Sequence, residues 1–227
     1  MIVGIHQPQY LPWLGYFDKI DKVDTFVLLD DTQYKKQEWQ NRNKIKTPNG
    51  ELWLTVPVLI GQGHKQKINQ IKIDNKQKWS QKHLGRIKNF YSSTPYFKDY
   101  IDFFKDTYSK RWETLADLNI YFVRKIAEFL GINTTIILAS SLNYTGKATD
   151  LNVSISQILE ADTYLSGMGA KDYLVESKFK DINLEYQNFN HPVYPQLYGN
   201  FISHLSVIDL LFNCGKESLK IIRGEKT

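Results

Sequence analysis

The chain predicts an α/β fold: one open, mostly parallel sheet with a helical insertion. Three observations carry this. Short β-rich runs recur at residues 1–5, 25–29, 135–139, 163–166 and 184–187. Stretches with helical apolar spacing separate most of them, and from Lys76 to Gly131 the period becomes helical throughout. Strands alternating with helices imply crossover connections, and crossovers imply parallel pairing.

Met1, Ile2 and Val3 lead a buried strand that breaks at Gly4-Ile5-His6-Gln7-Pro8. Phe17, Ile20 and Val23 are spaced for a helix, and Thr25–Leu29 is a second strand, so the chain opens as a βαβ unit. Ligands of open α/β sheets bind at strand carboxyl ends, which is where His6 falls. Asp30-Asp31-Thr32-Gln33-Tyr34 leave the second strand as a polar segment. Residues 39–46, the turn Pro48-Asn49-Gly50 and the alternating run Glu51–Val58 read as a hairpin or sheet extension. Gly61–Lys65 reads as a mobile loop and Ile68–Ile73 as a short strand.

The insertion contains three helices. Trp79, His83, Ile87, Phe90 and Tyr91 share one face; Pro95 restarts a helix through Tyr108; Leu115 to Leu130 form the third, with Gly131 as its C-cap. Their aromatic stripes read as packing, because burying apolar area is what such stripes do. A strand Thr135–Ser141, a helix Leu151–Ala161, a strand Thr163–Ser166, a helix Ala170–Glu176, a strand Leu184–Gln187 and a closing helix Leu205–Phe212 follow. Residues 1–227 thus read as a single α/β domain with a helical subdomain at 76–131.

Composition narrows the class. The formal charge of +5 is scattered, with no dense Lys/Arg block, so nucleic acid is not an expected partner. A solvated Lys-rich surface is the plain reading, and a preference for anionic ligands the sharper one. Cys214 is the single cysteine, which rules out an internal disulfide and a cysteine-based metal cluster. No run of eighteen apolar residues and no basic-then-apolar leader occurs, so a cytoplasmic protein without a membrane span is expected. A homo-oligomer is compatible with the chain.

Four constellations can carry chemistry. His6, with Gln7, Gln9 and Tyr10 beside it, offers a general base or an anion donor at a strand end, against the alternative of a fold-stabilising side chain. Ser166-Gly167-Met168-Gly169 precedes an expected helix and could present backbone N–H groups to an anion, although such turns need glycine anyway. Asp30 and Asp31, with Gln33, form a carboxylate pair that either holds Mg²⁺ with a phosphorylated substrate or caps a turn, and Arg42 and Lys44 follow as possible partners for phosphate or carboxylate. His191-Pro192-Val193-Tyr194-Pro195-Gln196 is a rigid segment fixing three polar side chains, and Ser203 or Ser206 is placed to cap the last helix. Walker A, Gly-x-Ser-x-Gly and His-Glu-x-x-His patterns are absent from the sequence.

These motifs resemble those of the WbqC-like proteins. The resemblance runs through His6-Gln7-Pro8-x-Tyr10-Leu11-Pro12-Trp13-x-Gly15-Tyr16-Phe17, Asp30-Asp31-x-Gln33-Tyr34 and Asn41-Arg42-Asn43-x-Ile45-Lys46. It continues in residues 53–58, Tyr164-Leu165-Ser166-Gly167-x-Gly169-Ala170, His191-Pro192-x-Tyr194-x-Gln196 and residues 205–215. It implies a role in bacterial surface-polysaccharide (O-antigen) biosynthesis and carries no catalytic mechanism with it. More loosely, the opening resembles nucleotidylyltransferases and implies a Rossmann-like sheet. Trp13-Leu14-Gly15-Tyr16 stands where that group has His-x-Gly-His. Neither indole nor phenol replaces a cationic imidazole, so this similarity implies the fold rather than nucleotidyl transfer.

The expected function is an enzyme, a transferase, acting on an activated anionic small molecule such as a nucleotide-sugar or an acyl or aminoacyl donor. The alternative is a non-catalytic protein that binds a sugar nucleotide or a partner of the same pathway. His6, Tyr10 and Asp31 are the expected catalytic residues. Gln7, Gln9, Trp13, Gln33, Arg42, Lys44, Ser166, Gly167, Gly169, His191, Tyr194 and Gln196 are expected to bind substrate, with no metal ligands among them and no cofactor specified. His6, Tyr10, Arg42, Ser166–Gly169 and His191 are expected to converge on one concave site, because parallel strands deliver their ends to one edge.

Overall fold

The computed structural model describes residues 1–61 and 66–225. Part of the Gly61–Lys65 loop expectation therefore lies outside the described residues. In chain order the elements are β1 (Ile2–His6), α1 (Leu14–Asp21), β2 (Thr25–Leu28), β3 (Arg42–Thr47), β4 (Gly50–Thr55), β5 (Val58–Leu59) and β6 (Lys72–Ile73). Then come α2 (Trp79–Tyr91), α3 (Phe97–Ser109), α4 (Leu115–Leu130), β7 (Thr135–Leu138), α5 (Thr149–Ile158), β8 (Thr163–Ser166), β9 (Asn183–Tyr186), α6 (Val207–Cys214) and α7 (Ser218–Arg223).

The central sheet has the order β7-β2-β1-β8-β9 and every pairing in it is parallel. The α/β expectation holds. From β1 the chain steps to β2 and then β7, and later returns to the other flank for β8 and β9. The direction of winding therefore reverses between β1 and β8, and such a reversal opens a crevice at the strand carboxyl ends.

Each face of the sheet has its own apolar layer. On one, Val3, Ile5, Val27 and Tyr164 meet Leu151 and Ile155 of α5. On the other, Phe26, Leu28 and Leu165 share one buried cluster with α1, the three helices of the insertion, and α6. The insertion thus continues the same core. Its aromatics do pack: Phe104 and Phe122 are buried, and Phe212 of α6 stacks on Tyr91. Gly131 ends α4 at φ +78°, the left-handed turn that a Cβ disfavours.

The elements differ from expectation at several places. Helix α1 begins at Leu14 rather than Phe17, because Leu14, Phe17 and Ile20 are three apart and all buried. Ile68–Ile73 is a 3₁₀ turn (Ile68–Gln70) followed by the two-residue β6; the spacing of Ile68 and Ile71 suits a turn of helix, and both are buried. The run Thr135–Ser141 leaves the sheet at Leu138 and turns through Ala139–Ser141. The helix expected at Ala170–Glu176 does not form. A 3₁₀ turn occupies Met168–Ala170, and Tyr173 and Val175 are exposed, so only Ala170 and Leu174 are left to anchor a helix there. Helix α5 spans Thr149–Ile158, and α6 starts at Val207, where the Ser206 hydroxyl accepts from Ile208 N–H at 3.4 Å. The turn before β4 places Gly50 at φ +97°, and β3 and β4 pair antiparallel as the expected hairpin.

Candidate active-site crevice

At the reversal point the two strands part. Pairing of β1 with β8 ends at Gly4 and Leu165, whereas β1 stays joined to the β2 side, where Leu29 N–H donates to the His6 carbonyl at 2.8 Å. The Ile5 carbonyl takes a side-chain donor instead: Lys19 Nζ of α1 donates to it at 2.9 Å. That ammonium also stands 6.0 Å from the centroid of the Tyr164 ring on β8, so it spans the opening. Lys19 is only 3% exposed. Burial pulls its pKa down to about 7.

His6 ends β1 beside this lysine. Its Nδ1–H donates to the Gln7 carbonyl at 3.1 Å, which fixes the tautomer and leaves the Nε2 lone pair free for a proton. The Tyr16 ring packs edge-on against the imidazole at 4.9 Å. Desolvation, and then the Lys19 charge, push the His6 pKa down to about 4, so His6 is neutral at pH 7. Ser166 and Gly167 end the neighbouring strand on the same edge. An uncharged base and a cation of low proton affinity thus lie together at the carboxyl end of β1, where the winding reverses.

The motif loop is built to expose some side chains and bury others. His6, Gln7, Gln9 and Trp13 are half-buried, while Tyr10, Leu11 and Pro12 point inward. Leu11 adopts φ +45°, an uncommon conformation for a non-glycine residue. It is held by Asn43 Nδ2–H on its carbonyl at 2.6 Å and by Asn119 Nδ2–H on the Pro8 carbonyl at 3.2 Å. Gln7 is fixed as well: its amide donates to Thr32 Oγ1 at 3.0 Å and accepts from Gln40 at 2.6 Å.

The next strand end carries the acidic pair. Asp30 is buried and accepts from Ser140 N–H at 3.0 Å, fastening the end of β7, which is the turn-forming reading of that residue. Asp31 is half-buried, accepts from the Tyr144 hydroxyl at 2.5 Å and pairs with Lys67 at 3.4 Å. Gln33 is exposed and lines an adjoining cleft of about 450 Å³ with Tyr34, Lys35 and Ile71. Among the described residues no group of three or more His, Cys, Asp or Glu side chains is placed to hold a metal ion.

His6, Gln7, Asp31, Gln33, Ser166 and Gly167 therefore follow or end strands at the carboxyl edge, and several other expected site residues have partners of their own. Tyr10 is wholly buried, its hydroxyl 2.8 Å from His83 Nδ1 and 2.5 Å from the Tyr108 hydroxyl. Tyr194 is buried and donates to Asp209 at 2.9 Å, opposite Tyr91 on the other carboxylate oxygen. Gln196 accepts from Lys46 Nζ at 3.0 Å. His191 packs beside Trp13 and His204; its Nε2 accepts from the His204 N–H at 3.0 Å, so the ring is neutral and its tautomer fixed. Gly169 is exposed, and without an α-helix behind it the expected row of helix N-terminal donors at Gly167 and Gly169 is lost. Arg42 and Lys44 lie on the β3–β4 hairpin against Trp53. A separate hollow of about 690 Å³ around Asp162, Phe179 and Lys180 borders the opposite, amino-terminal edge and contains none of the expected residues.

Sequence reasoning missed Lys19. One lysine in an α1 that is otherwise apolar at Leu14, Phe17 and Ile20 was the available signal, since seven consecutive residues of that helix, Lys19 included, are buried.

The same residues decide the family. The WbqC-like protein family matches over residues 7–221. The chain belongs to that family. A protein of Mycobacterium tuberculosis described as uncharacterized is 37% identical over 228 residues, covering 97% of each chain. No solved structure matches. The WbqC-like motif that opens this chain leaves His6, Gln7, Gln9 and Trp13 half-buried and gives the rest to the core.

Proposed function

We propose that this WbqC-like protein is an enzyme, a transferase of bacterial surface-polysaccharide biosynthesis, acting in the β1–β8 crevice on an activated anionic small molecule. The observation that carries the reading is Lys19: a buried cation, bonded to a backbone carbonyl, at the point where the sheet reverses its winding. Lys19 has no carboxylate partner among the described residues; a buried lysine so placed costs stability, and such groups cluster at functional sites. In this reading Lys19 neutralises a phosphate or carboxylate of the donor, or the charge that develops on its activated centre. His6, neutral with a free Nε2, takes the proton from the hydroxyl or amine that attacks. Gln7 and Gln9 orient the substrate, and Asp31 bounds the site on the β2 side.

The test compares thermal shifts of the wild type, His6→Ala and Lys19→Met across nucleotide-sugars and acyl donors. Stabilisation of the wild type that both variants lose is expected. If no activated anionic compound stabilises the wild type, the reading fails. A second reading, binding without turnover, draws on the way Gln7 and Asp31 are already occupied by Gln40, Thr32, Tyr144 and Lys67. Saturable binding with no product by mass spectrometry decides for it.

A further inference from the structure

Beside the crevice, the β3–β4 hairpin and the segment before it present two tryptophans to solvent. Trp39 is 38% exposed and Trp53 37%, and their rings lie 5.5 Å apart at 33°. Cations surround the pair. The Arg42 guanidinium carbon sits 4.5 Å and Lys44 Nζ 5.2 Å from the Trp53 ring centroid. Arg86 of α2 donates to the Trp53 carbonyl at 3.1 Å. Glu51 is held by Lys44 at 2.6 Å, and Glu38 precedes Trp39. One terminal nitrogen of Arg42 donates to the Gln37 carbonyl, but its Nε is shielded from solvent and has no acceptor among the described residues. A buried donor left unmade is costly, and here it belongs to a side chain shaped to grip an oxyanion.

We propose that this surface is a stacking platform for the base of a nucleoside diphosphate, with Arg42 and Arg86 taking the diphosphate. The proposal rests on reading the crevice as the substrate site, and it names the donor's class as nucleotide-linked. Aromatic faces accept any planar base, and a cationic rim selects a base that carries phosphate over a neutral sugar. Position supports the connection. The Trp39 carbonyl accepts from Tyr10 N–H at 3.2 Å, and the next residue, Gln40, donates to Gln7, the neighbour of His6. The platform is thus tied through two adjacent residues, Trp39 and Gln40, to the loop that follows His6.

The test is calorimetric titration of the full chain with uridine, guanosine and adenosine diphosphates and with pyrophosphate at physiological ionic strength. At least one nucleoside diphosphate is expected to bind about ten-fold or more tightly than pyrophosphate, the size of one stacking contact. Trp39→Ala and Trp53→Ala, both at exposed positions, should each erase about that factor, and Trp39→Phe should restore most of it. Arg42→Gln should weaken nucleoside diphosphates and pyrophosphate together. Equal affinity for pyrophosphate and every nucleoside diphosphate, or indifference to both alanine variants, overturns the proposal. So does a single-stranded oligonucleotide that binds more tightly than any nucleotide and loses affinity steeply with salt. If an anionic metabolite binds in a Lys19-dependent manner but ignores Trp39 and Trp53, the platform is refuted and the crevice reading stands.

Discussion

Lys19→Met is the most informative substitution, because it separates what the lysine does for the fold from what it does for a ligand. The ammonium is 3% exposed and, among the described residues, donates only to the Ile5 carbonyl. Its folded-state pKa of about 7 stands against 10.5 for an ordinary lysine. Between those values the unfolded chain holds a proton that the folded chain does not, so stability rises with pH and the penalty is complete below pH 7. At about 1.4 kcal/mol per pH unit, the climb from pH 7 to 9 amounts to about 2 kcal/mol, or roughly 4–8 °C in melting temperature for a chain of this size. Methionine has similar length and no charge. It leaves the Ile5 carbonyl without its donor, a loss of about 1 kcal/mol, but removes the titration. Urea unfolding of both proteins at pH 6, 7, 8 and 9 should show the wild type gaining on the variant across that range, with the variant the more stable at pH 6. Differencing the two cancels every other titrating group. Parallel profiles would mean that Lys19 is solvated in the folded state, and the argument for a buried cation at the crevice would fall with it.

Two further substitutions test neighbouring claims. Tyr10→Phe removes a hydroxyl wedged between His83 and Tyr108, leaving two buried polar groups unpaired; a loss of about 2–3 kcal/mol by denaturant titration is expected, with the ligand-induced thermal shift retained. Loss of the ligand response at unchanged stability would return Tyr10 to the site. Gly131→Ala probes backbone alone, since a Cβ there meets nothing within 4 Å while φ is +78°. It should cost about 1 kcal/mol in the same assay, and no change would refute the left-handed cap as the reason for glycine.

Much of the edge that holds the crevice was legible in the chain because it depends on local patterns. The short β-rich runs specified the five parallel strands, and parallel strands bring His6, Asp31 and Ser166 to one edge whatever the loops do. The alternation of exposed and buried positions in Gln7-Pro8-Gln9-Tyr10 was not legible. Polar residues beside a core strand look equally suited to a site, yet Tyr10 turns inward because His83 on α2 and Tyr108 on α3 supply polar partners from 73 and 98 residues away. Tyr194 turns inward for the same reason: Asp209 and Tyr91 complete its network from distant elements.

The sequence by itself determined the fold class, the three-helix insertion and the edge at which His6, Asp31 and Ser166 fall, since periodicity and turn chemistry act over a few residues. Only the tertiary structure decided that β1 and β8 part after Gly4, that Lys19 reaches the carbonyl left open there, and that no helix stands behind Gly167. Those outcomes depend on burial and on partners far apart in the chain. A lysine reads as a surface residue until packing closes over it and its charge has nowhere else to go.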